Sequence, residues 1–134
     1  MALSQSTRTV RLSTALGRDA LGIRQIVFRE ALGQPFSLEI AAVAEQPDID
    51  LDALVGTNLT VAIESQTGRK SRFVNAFVTE AALTGVEERL YGISLTGAPW
   101  FWLLTLSQTC RIFEDMTAPE IVAAVLDEQN LGRY

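Results

Sequence analysis

The sequence predicts a mainly β domain, either a sandwich or a small barrel, that ends in one helix. As far as Gly97, short segments alternate apolar with polar residues, and turn signals lie at most of the junctions between them. Near the C-terminus a capping box precedes an apolar stripe with helical spacing. The length of 134 residues, with 48% hydrophobic and 20% charged residues, is typical of a single globular domain.

Six segments carry the strand pattern. The clearest is Asn58–Glu64, in which Leu59, Val61 and Ile63 alternate with polar or small residues. The segment 72–83 is apolar on both faces, which predicts a strand covered on both sides. The other four predicted strands are residues 8–15, 23–32, 36–44 and 89–96. Gly68 should supply a positive φ in the turn between the strands 58–64 and 72–83.

Two helices are predicted. A short one lies between Asp50, which can cap its first turn, and Gly56, which occupies the position after its last residue. The second follows Thr117, where the motif T-A-P-E forms a capping box with Glu120, and Gly132 is its stop signal. Its apolar stripe consists of Ile121, Val122, Val125 and Leu126.

The composition excludes several classes of function. The chain has no histidine and one cysteine, which removes Ser-His-Asp and Cys-His nucleophile sites, the common zinc and non-haem iron sites, and any intrachain disulfide. A net charge of −5 gives no footprint for nucleic acid. No run approaches the roughly 18 apolar residues of a membrane span. We therefore predict no catalytic residues, no cofactor, no metal, no nucleic-acid partner and no stable membrane anchor.

An aromatic segment, residues 98–126, holds both tryptophans and the cysteine. Because aromatic side chains carry so much apolar surface, this segment should be buried in a core or against a partner. Trp100 and Trp102 could alternatively form a stacking platform for a glycan or single-stranded nucleic acid. For Cys110 a buried structural thiol is favoured, and a strand is possible over 110–113. The candidate packing or assembly residues are Phe73, Phe77, Trp100, Phe101, Trp102, Leu103, Ile112 and Phe113.

Several longer stretches resemble one known family. They include R-E-A-L-G-Q-P-F-S-L-E-I at 29–40 and P-D-I-D-L-D-A-L-V-G at 47–56. The most specific is P-W-F-W-L-L from Pro99, followed by C-R-I-F-E-D-M-T-A-P-E-I-V from Cys110. Together they resemble the N-terminal part of VgrG, the spike protein of type VI secretion systems, which is similar to the tail-hub protein of contractile phages. One departure is Ala76, which stands where the family has Gly.

The resemblance implies a fold and a domain plan. The expected fold is a small antiparallel β-barrel or split barrel of about six to seven strands, with one short helix in the middle and one C-terminal helix. Residues 1–98 would form the first hub-like barrel. Residues 99–134 would be an aromatic segment plus helix that leads toward a second barrel absent from this chain. Because a full spike protein is several times longer, we expect a fragment.

The resemblance also implies a function. The chain would be a structural, non-enzymatic part of a homotrimeric hub whose barrels form a pseudo-hexameric ring. That ring would dock on the Hcp hexamer, contact other baseplate and spike components, help puncture target cells and deliver effectors. The protein would be cytoplasmic during assembly and then secreted through the type VI apparatus. The alternative is an unrelated small β-barrel binding module that uses the tryptophans as a stacking platform.

Overall fold

A computed structural model describes residues 4–65 and 70–128 of the chain. The predicted turn glycine Gly68 and the predicted stop signal Gly132 lie outside these residues. The chain divides into two compact units, Met1–Pro99 and Trp100–Tyr134.

The first unit is a single seven-stranded antiparallel sheet in the order β2-β1-β5-β6-β7-β4-β3. All six predicted strands are present, and β2 adds a short strand in a segment that reads as a polar turn. The ladder is not closed, so the mainly β, split-barrel prediction is confirmed. The strands are β1 Val10–Thr14, β2 Gly17–Arg18, β3 Gly22–Ala31, β4 Gln34–Ala44, β5 Asn58–Glu64, β6 Ser71–Glu87 and β7 Leu90–Ala98.

Alternation decides which side chains enter the core. In β5, Leu59 and Val61 are each 1% exposed, while Thr60 between them is half-buried. Val61 lies opposite Val74 of β6, so the apolar faces of neighbouring strands are in register. The core cluster contains Leu12, Leu21, Leu38, Ile40, Ala42, Ala44, Leu54, Leu59, Val61, Val74, Ala76, Val78, Ile93 and Leu95.

The departure at Ala76 fits the same core. Ala76 is 2% exposed, and a Cβ placed on Gly97 of β7 would come within 3.1 Å of the Ala76 Cβ. The methyl group at position 76 is therefore accommodated because the neighbouring strand has a glycine at this point.

Strand β6 is longer than the sequence predicts, and one of its faces is more open. The turn expected after Leu83 is strand as far as Glu87, and the chain reverses at Glu88 and Arg89, whose φ angles are 54° and 108°. Gly85, which resembles a turn residue in the sequence, lies instead at an irregularity in the β6–β7 register. The prediction that this strand is covered on both sides is wrong at its start, where Phe73 is 64% exposed.

The short helix predicted after Asp50 is a series of turns. Asp50 accepts a hydrogen bond from the Ala53 amide at 3.0 Å, and Gly56 has a φ of 79°, as a cap and a stop should. No helix forms between them, because this segment is bonded to the sheet and packed against it. The Gly56 amide donates to the Val78 carbonyl at 2.8 Å, and Leu54 is fully buried beneath the barrel strands.

The Gln5 side chain hydrogen-bonds to backbone groups near both ends of the open ladder. Its side-chain amide donates to the carbonyls of Leu12, in β1, at 3.1 Å and of Leu21, just before β3, at 3.0 Å. Its side-chain oxygen accepts from the Leu12 amide at 2.7 Å. Arg8 adds a hydrogen bond to the Ile23 carbonyl of β3 at 2.7 Å. Strands β1 and β3 do not pair directly, so these bonds join the two halves of the barrel.

A second cluster joins β3 to β6. The Arg72 guanidinium lies 5.3 Å from the centre of the Phe28 ring and donates to both carboxylate oxygens of Glu30 at 2.9 Å. The Phe28 and Phe36 rings are 5.2 Å apart. The Arg72 interactions connect strands that are three positions apart in the ladder, and the ring contact joins β3 to its neighbour β4.

The second unit contains a 3₁₀ helix, Trp100–Leu106, and α1, Ala118–Glu128, and neither has a buried residue. No helix among the described residues combines the length and the hydropathy needed to cross a membrane.

We expect Gln5→Ala to lower the free energy of unfolding by about 2–3 kcal/mol, because it leaves buried backbone groups of Leu12 and Leu21 unpaired. Chemical denaturation followed by tryptophan fluorescence and circular dichroism would measure the loss. Gln25→Ala, at an exposed glutamine of β3, is the matched control and should change stability by less than about 0.5 kcal/mol. Equal effects of the two substitutions would contradict the role assigned to Gln5.

Candidate assembly surface

The eight residues predicted for packing or assembly fall in both units. Phe73 and Phe77 lie on β6, in the first unit, and the other six lie between Trp100 and Phe113 in the second.

The two phenylalanines of β6 differ sharply in exposure. Phe77 is 9% exposed and therefore belongs to the packed part of the barrel, whereas Phe73 is 64% exposed. Phe73 lies opposite Ala62 of β5, on the outer face of the sheet. A single exposed aromatic ring on a sheet does not by itself define a site.

A shallow cavity of about 530 Å³ lies beside Phe73. Its polar lining includes Arg11, which forms an ion pair with Glu64, and Arg18, which has no ion-pair partner among residues 4–65 and 70–128. The Oδ1 atom of Asp19 at its rim already accepts a hydrogen bond from the Gln5 amide at 2.8 Å. Its charges are therefore largely balanced, and nothing in its lining resembles a catalytic arrangement.

The aromatic segment is less buried than the sequence suggests. Trp100, Trp102 and Leu103 are half-buried, and Phe101 is 41% exposed. The Trp100 and Phe101 rings meet edge to face, with centroids 6.2 Å apart and planes at 90°. The segment is therefore only partly buried among the described residues, and its burial against a partner stays a prediction.

The stretch after the 3₁₀ helix also departs from expectation. Residues 110–113 form no strand, and Cys110 is exposed instead of buried. Ile112 is 88% exposed, while Phe113 is half-buried. Arg111 forms an ion pair with Glu128 at the end of α1, which ties this irregular stretch to the helix.

The start of α1 has half of the predicted capping box. The Glu120 carboxylate accepts hydrogen bonds from the Thr117 hydroxyl and the Thr117 amide, both at 2.7 Å. Glu120 therefore reaches back as predicted, but the Thr117 hydroxyl donates to the same carboxylate and does not cap a backbone amide. These bonds, the side-chain one first, lower the pKa of Glu120 below its ordinary value of 4.5.

The apolar stripe of α1 is only partly covered. Ile121, Val125 and Leu126 are half-buried, as a stripe facing a core should be, but Val122 is 58% exposed. With Leu106, which is 66% exposed, and Ile112, the second unit leaves several large apolar side chains in contact with solvent.

The described residues hold no group of three or more carboxylate or thiol side chains able to bind a metal ion. The sequence did not predict one candidate surface, which contains the apolar residues Leu83 and Val86 near the end of β6. Each is 57% exposed. The signal was present as strand-like apolar residues around Gly85, but that glycine favoured a turn.

Comparison with known proteins decides the family. The model of the phage tail baseplate hub (GPD) family matches residues 29–134, which is most of the chain. The chain belongs to this family. The matched region contains both the barrel strands from the end of β3 onward and the second unit.

Related sequences of this hub family agree. The chain is 35% identical over 134 residues to the type VI secretion system spike protein VgrG1b of Pseudomonas aeruginosa. The alignment covers 100% of this chain and 18% of that protein. It is 34% identical over 128 residues to VgrG1a of the same organism, in an alignment that covers 96% of this chain and 19% of that protein. The resemblance to the N-terminal part of VgrG is confirmed, and the chain spans about a fifth of these relatives.

A solved structure shares the fold. It is that of the E. coli c3393 protein, described as a component of the type VI secretion system with structural similarity to the T4 bacteriophage tail proteins gp27 and gp5. The match has a TM-score of 0.65 at 21% identity, and covers 84% of this chain and 33% of that one.

We expect Glu120→Gln to reduce the helicity of residues 118–128 at neutral pH, because it removes the charged cap. The pKa of Glu120 is lowered in the folded helix, so the stabilisation is complete above the unfolded-state value near 4.5 and disappears as the pH falls through the folded-state value. Amide hydrogen exchange of α1 at neutral and acidic pH would show this.

The control is Asp127→Asn, which removes the same charge at the opposite end of the helix. It should not lower helicity, since a negative charge is unfavourable there. A Glu120→Gln defect that persists unchanged in acid would contradict the capping role.

Proposed function

We propose that this chain is the first barrel of a type VI spike hub, homotrimeric in its full-length context, which docks on the Hcp hexamer. The observation that carries the proposal is the match to spike proteins over the whole chain, at 34–35% identity to VgrG1b and VgrG1a. In this proposal the second unit leads toward a second barrel, and the two barrels of each subunit form the pseudo-hexameric ring.

The exposed apolar side chains support an assembly role. Leu106, Ile112 and Val122 of the second unit are 66%, 88% and 58% exposed, in a region that the family model also matches. Burying such side chains contributes roughly 1.5–3 kcal/mol each, so neighbours in a larger assembly would gain substantially by covering them. Trp100 and Trp102 are aromatic anchors of the kind that dominate interfaces.

A structural role without catalysis is also part of the proposal. The relatives named above are spike proteins, and the chain contains no histidine. Contact with other baseplate and spike components, puncture of target cells and delivery of effectors would follow from the hub's position at the tip of the apparatus. Assembly would take place in the cytoplasm, before secretion through that apparatus.

The stacking-platform alternative gains no support from the geometry. In a 3₁₀ helix successive residues are about 120° apart, so Trp100 and Trp102 leave the helix in different directions. The Trp100 ring also packs edge-on against Phe101. A flat platform needs two rings presented on one side.

A chimera tests the hub proposal. In VgrG1b of Pseudomonas aeruginosa, the segment that matches this chain would be replaced by these 134 residues. We expect the purified chimera to be a trimer by light scattering, and to restore Hcp export in cells that lack the native spike protein. The same spike with the segment deleted is the negative control. A chimera that folds but stays monomeric and exports no Hcp would contradict the proposal.

Within that chimera, Trp102→Ala should weaken trimer formation by about tenfold or more, since a truncated interface tryptophan commonly costs more than about 1.4 kcal/mol. Analytical ultracentrifugation over a concentration series would measure the change. Leu32→Ala is the control, because Leu32 is fully exposed in the β3–β4 turn. If both variants assemble like the parent, the tryptophan is no part of the interface.

A further inference from the structure

Among the described residues, no strand lies beside one edge of the second half of β6. Strand β5 pairs with β6 from Ser71 to Phe77, and the bonds of Gly56 and Thr57 extend this contact to Val78. Beyond that point β7 continues to pair with the opposite edge as far as Glu87. In the part of the chain that the structure describes, no strand pairs with residues 80–87 on the β5 side. We call these residues the open edge.

The core face of the sheet continues to this open edge. Leu83 lies opposite Ile93, which is 2% exposed, and Val86 lies opposite Tyr91, which packs on the core. Opposed residues of an antiparallel pair share a face, so Leu83 and Val86 belong to the apolar face of the barrel. Yet each is 57% exposed, because no described strand continues the line of β5 here.

The open edge has charged residues and register irregularities, as edge strands often do, but it also has two exposed apolar side chains. Edge strands normally carry charges, prolines or covering loops, because free N–H and C=O groups invite another strand. At the open edge the backbone N–H and C=O groups lie next to the apolar side chains of Leu83 and Val86, which share one face of the sheet. An added strand would satisfy the backbone groups and cover Leu83 and Val86 at the same time.

The charges around the open edge select the partner. Glu80 and Glu88 have no ion pair among the described residues, and Glu87 pairs with Arg24 at 3.0 Å. Arg89 lies beside them in the turn, so the glutamates outnumber the arginines. Antiparallel pairing of two open edges would bring Glu80 of one copy near Glu87 of the other, and opposed like charges are destabilising. A second copy of this edge is therefore a poor occupant, and a strand with basic ends is a good one.

We propose that the open edge binds an extended segment of a partner protein by β-strand addition. The segment alternates apolar with polar residues, which places its apolar side chains on Leu83 and Val86. Its basic residues lie at the ends, near Glu80 and Glu88. Main-chain hydrogen bonds hold it, and the apolar face and the charges select its sequence.

A synthetic peptide of alternating valine and threonine, with arginine at both ends, is the probe. Titrated into the isotopically labelled full chain, it should shift the amide resonances of residues 80–87 and protect their amides from hydrogen exchange. The same peptide with N-methyl groups on alternate amides keeps the charge and composition but cannot extend the sheet. It should bind at least tenfold more weakly.

Leu83→Lys should weaken binding of the unmethylated peptide at least tenfold, because it removes apolar contact and repels the arginines. Val86→Lys, at the second apolar position, should act in the same way and covers the case in which one variant folds poorly. Leu32→Lys, which adds the same charge at an exposed leucine far from the open edge, should bind like the parent chain.

Three results would each overturn the proposal: no saturable binding at millimolar peptide, equal binding of the N-methylated peptide, or shifts centred outside residues 80–87. The inference does not use the hub assembly proposed above. The peptide experiment can therefore fail while the chimera assembles. Peptide binding can equally be observed when the chimera does not assemble.

Discussion

The barrel depends on bringing together the two ends of an open ladder. Strands β1 and β3 lie near opposite ends of the strand order and share no strand pairing, yet the core exists only if the sheet curls until they meet. Gln5 makes that meeting possible, because one buried amide satisfies backbone groups of both Leu12 and Leu21. A buried polar side chain is costly unless it is fully hydrogen-bonded, and here its bonds replace the missing ladder. The Arg72 cluster joins β3 to β6 in the same way through an ion pair and a ring contact.

The same geometry explains where the barrel remains open. β6 is the longest strand, and β5 pairs with only its first part. The apolar face of the sheet therefore continues along β6 beyond the end of its pairing with β5. The register between β6 and β7 is irregular near Thr79 and Gly85. An edge strand without a neighbour exposes backbone groups that another strand can pair with.

The second unit is less buried than its apolar composition predicts. Its aromatic residues predict burial, and the fold leaves most of them half-buried or exposed. The family match includes this segment. One local interaction formed as expected, since Glu120 reaches back to the Thr117 amide, although the Thr117 hydroxyl donates to the same carboxylate.

The sequence by itself determined the strands, the C-terminal helix and the family, because alternation, capping and the specific aromatic motif are local patterns. It also identified Leu59 and Val61 as inward residues of β5, since a strand's faces follow from its period. Only the tertiary structure decided the role of Gln5, whose partners are distant in sequence, and the exposure of Phe73 and Cys110. It alone decided that residues 84–87 are strand and not turn, because pairing with β7 outweighs the local preference of Gly85. Exposure of Leu83 and Val86 depends on where β5 begins, and no local pattern contains that information.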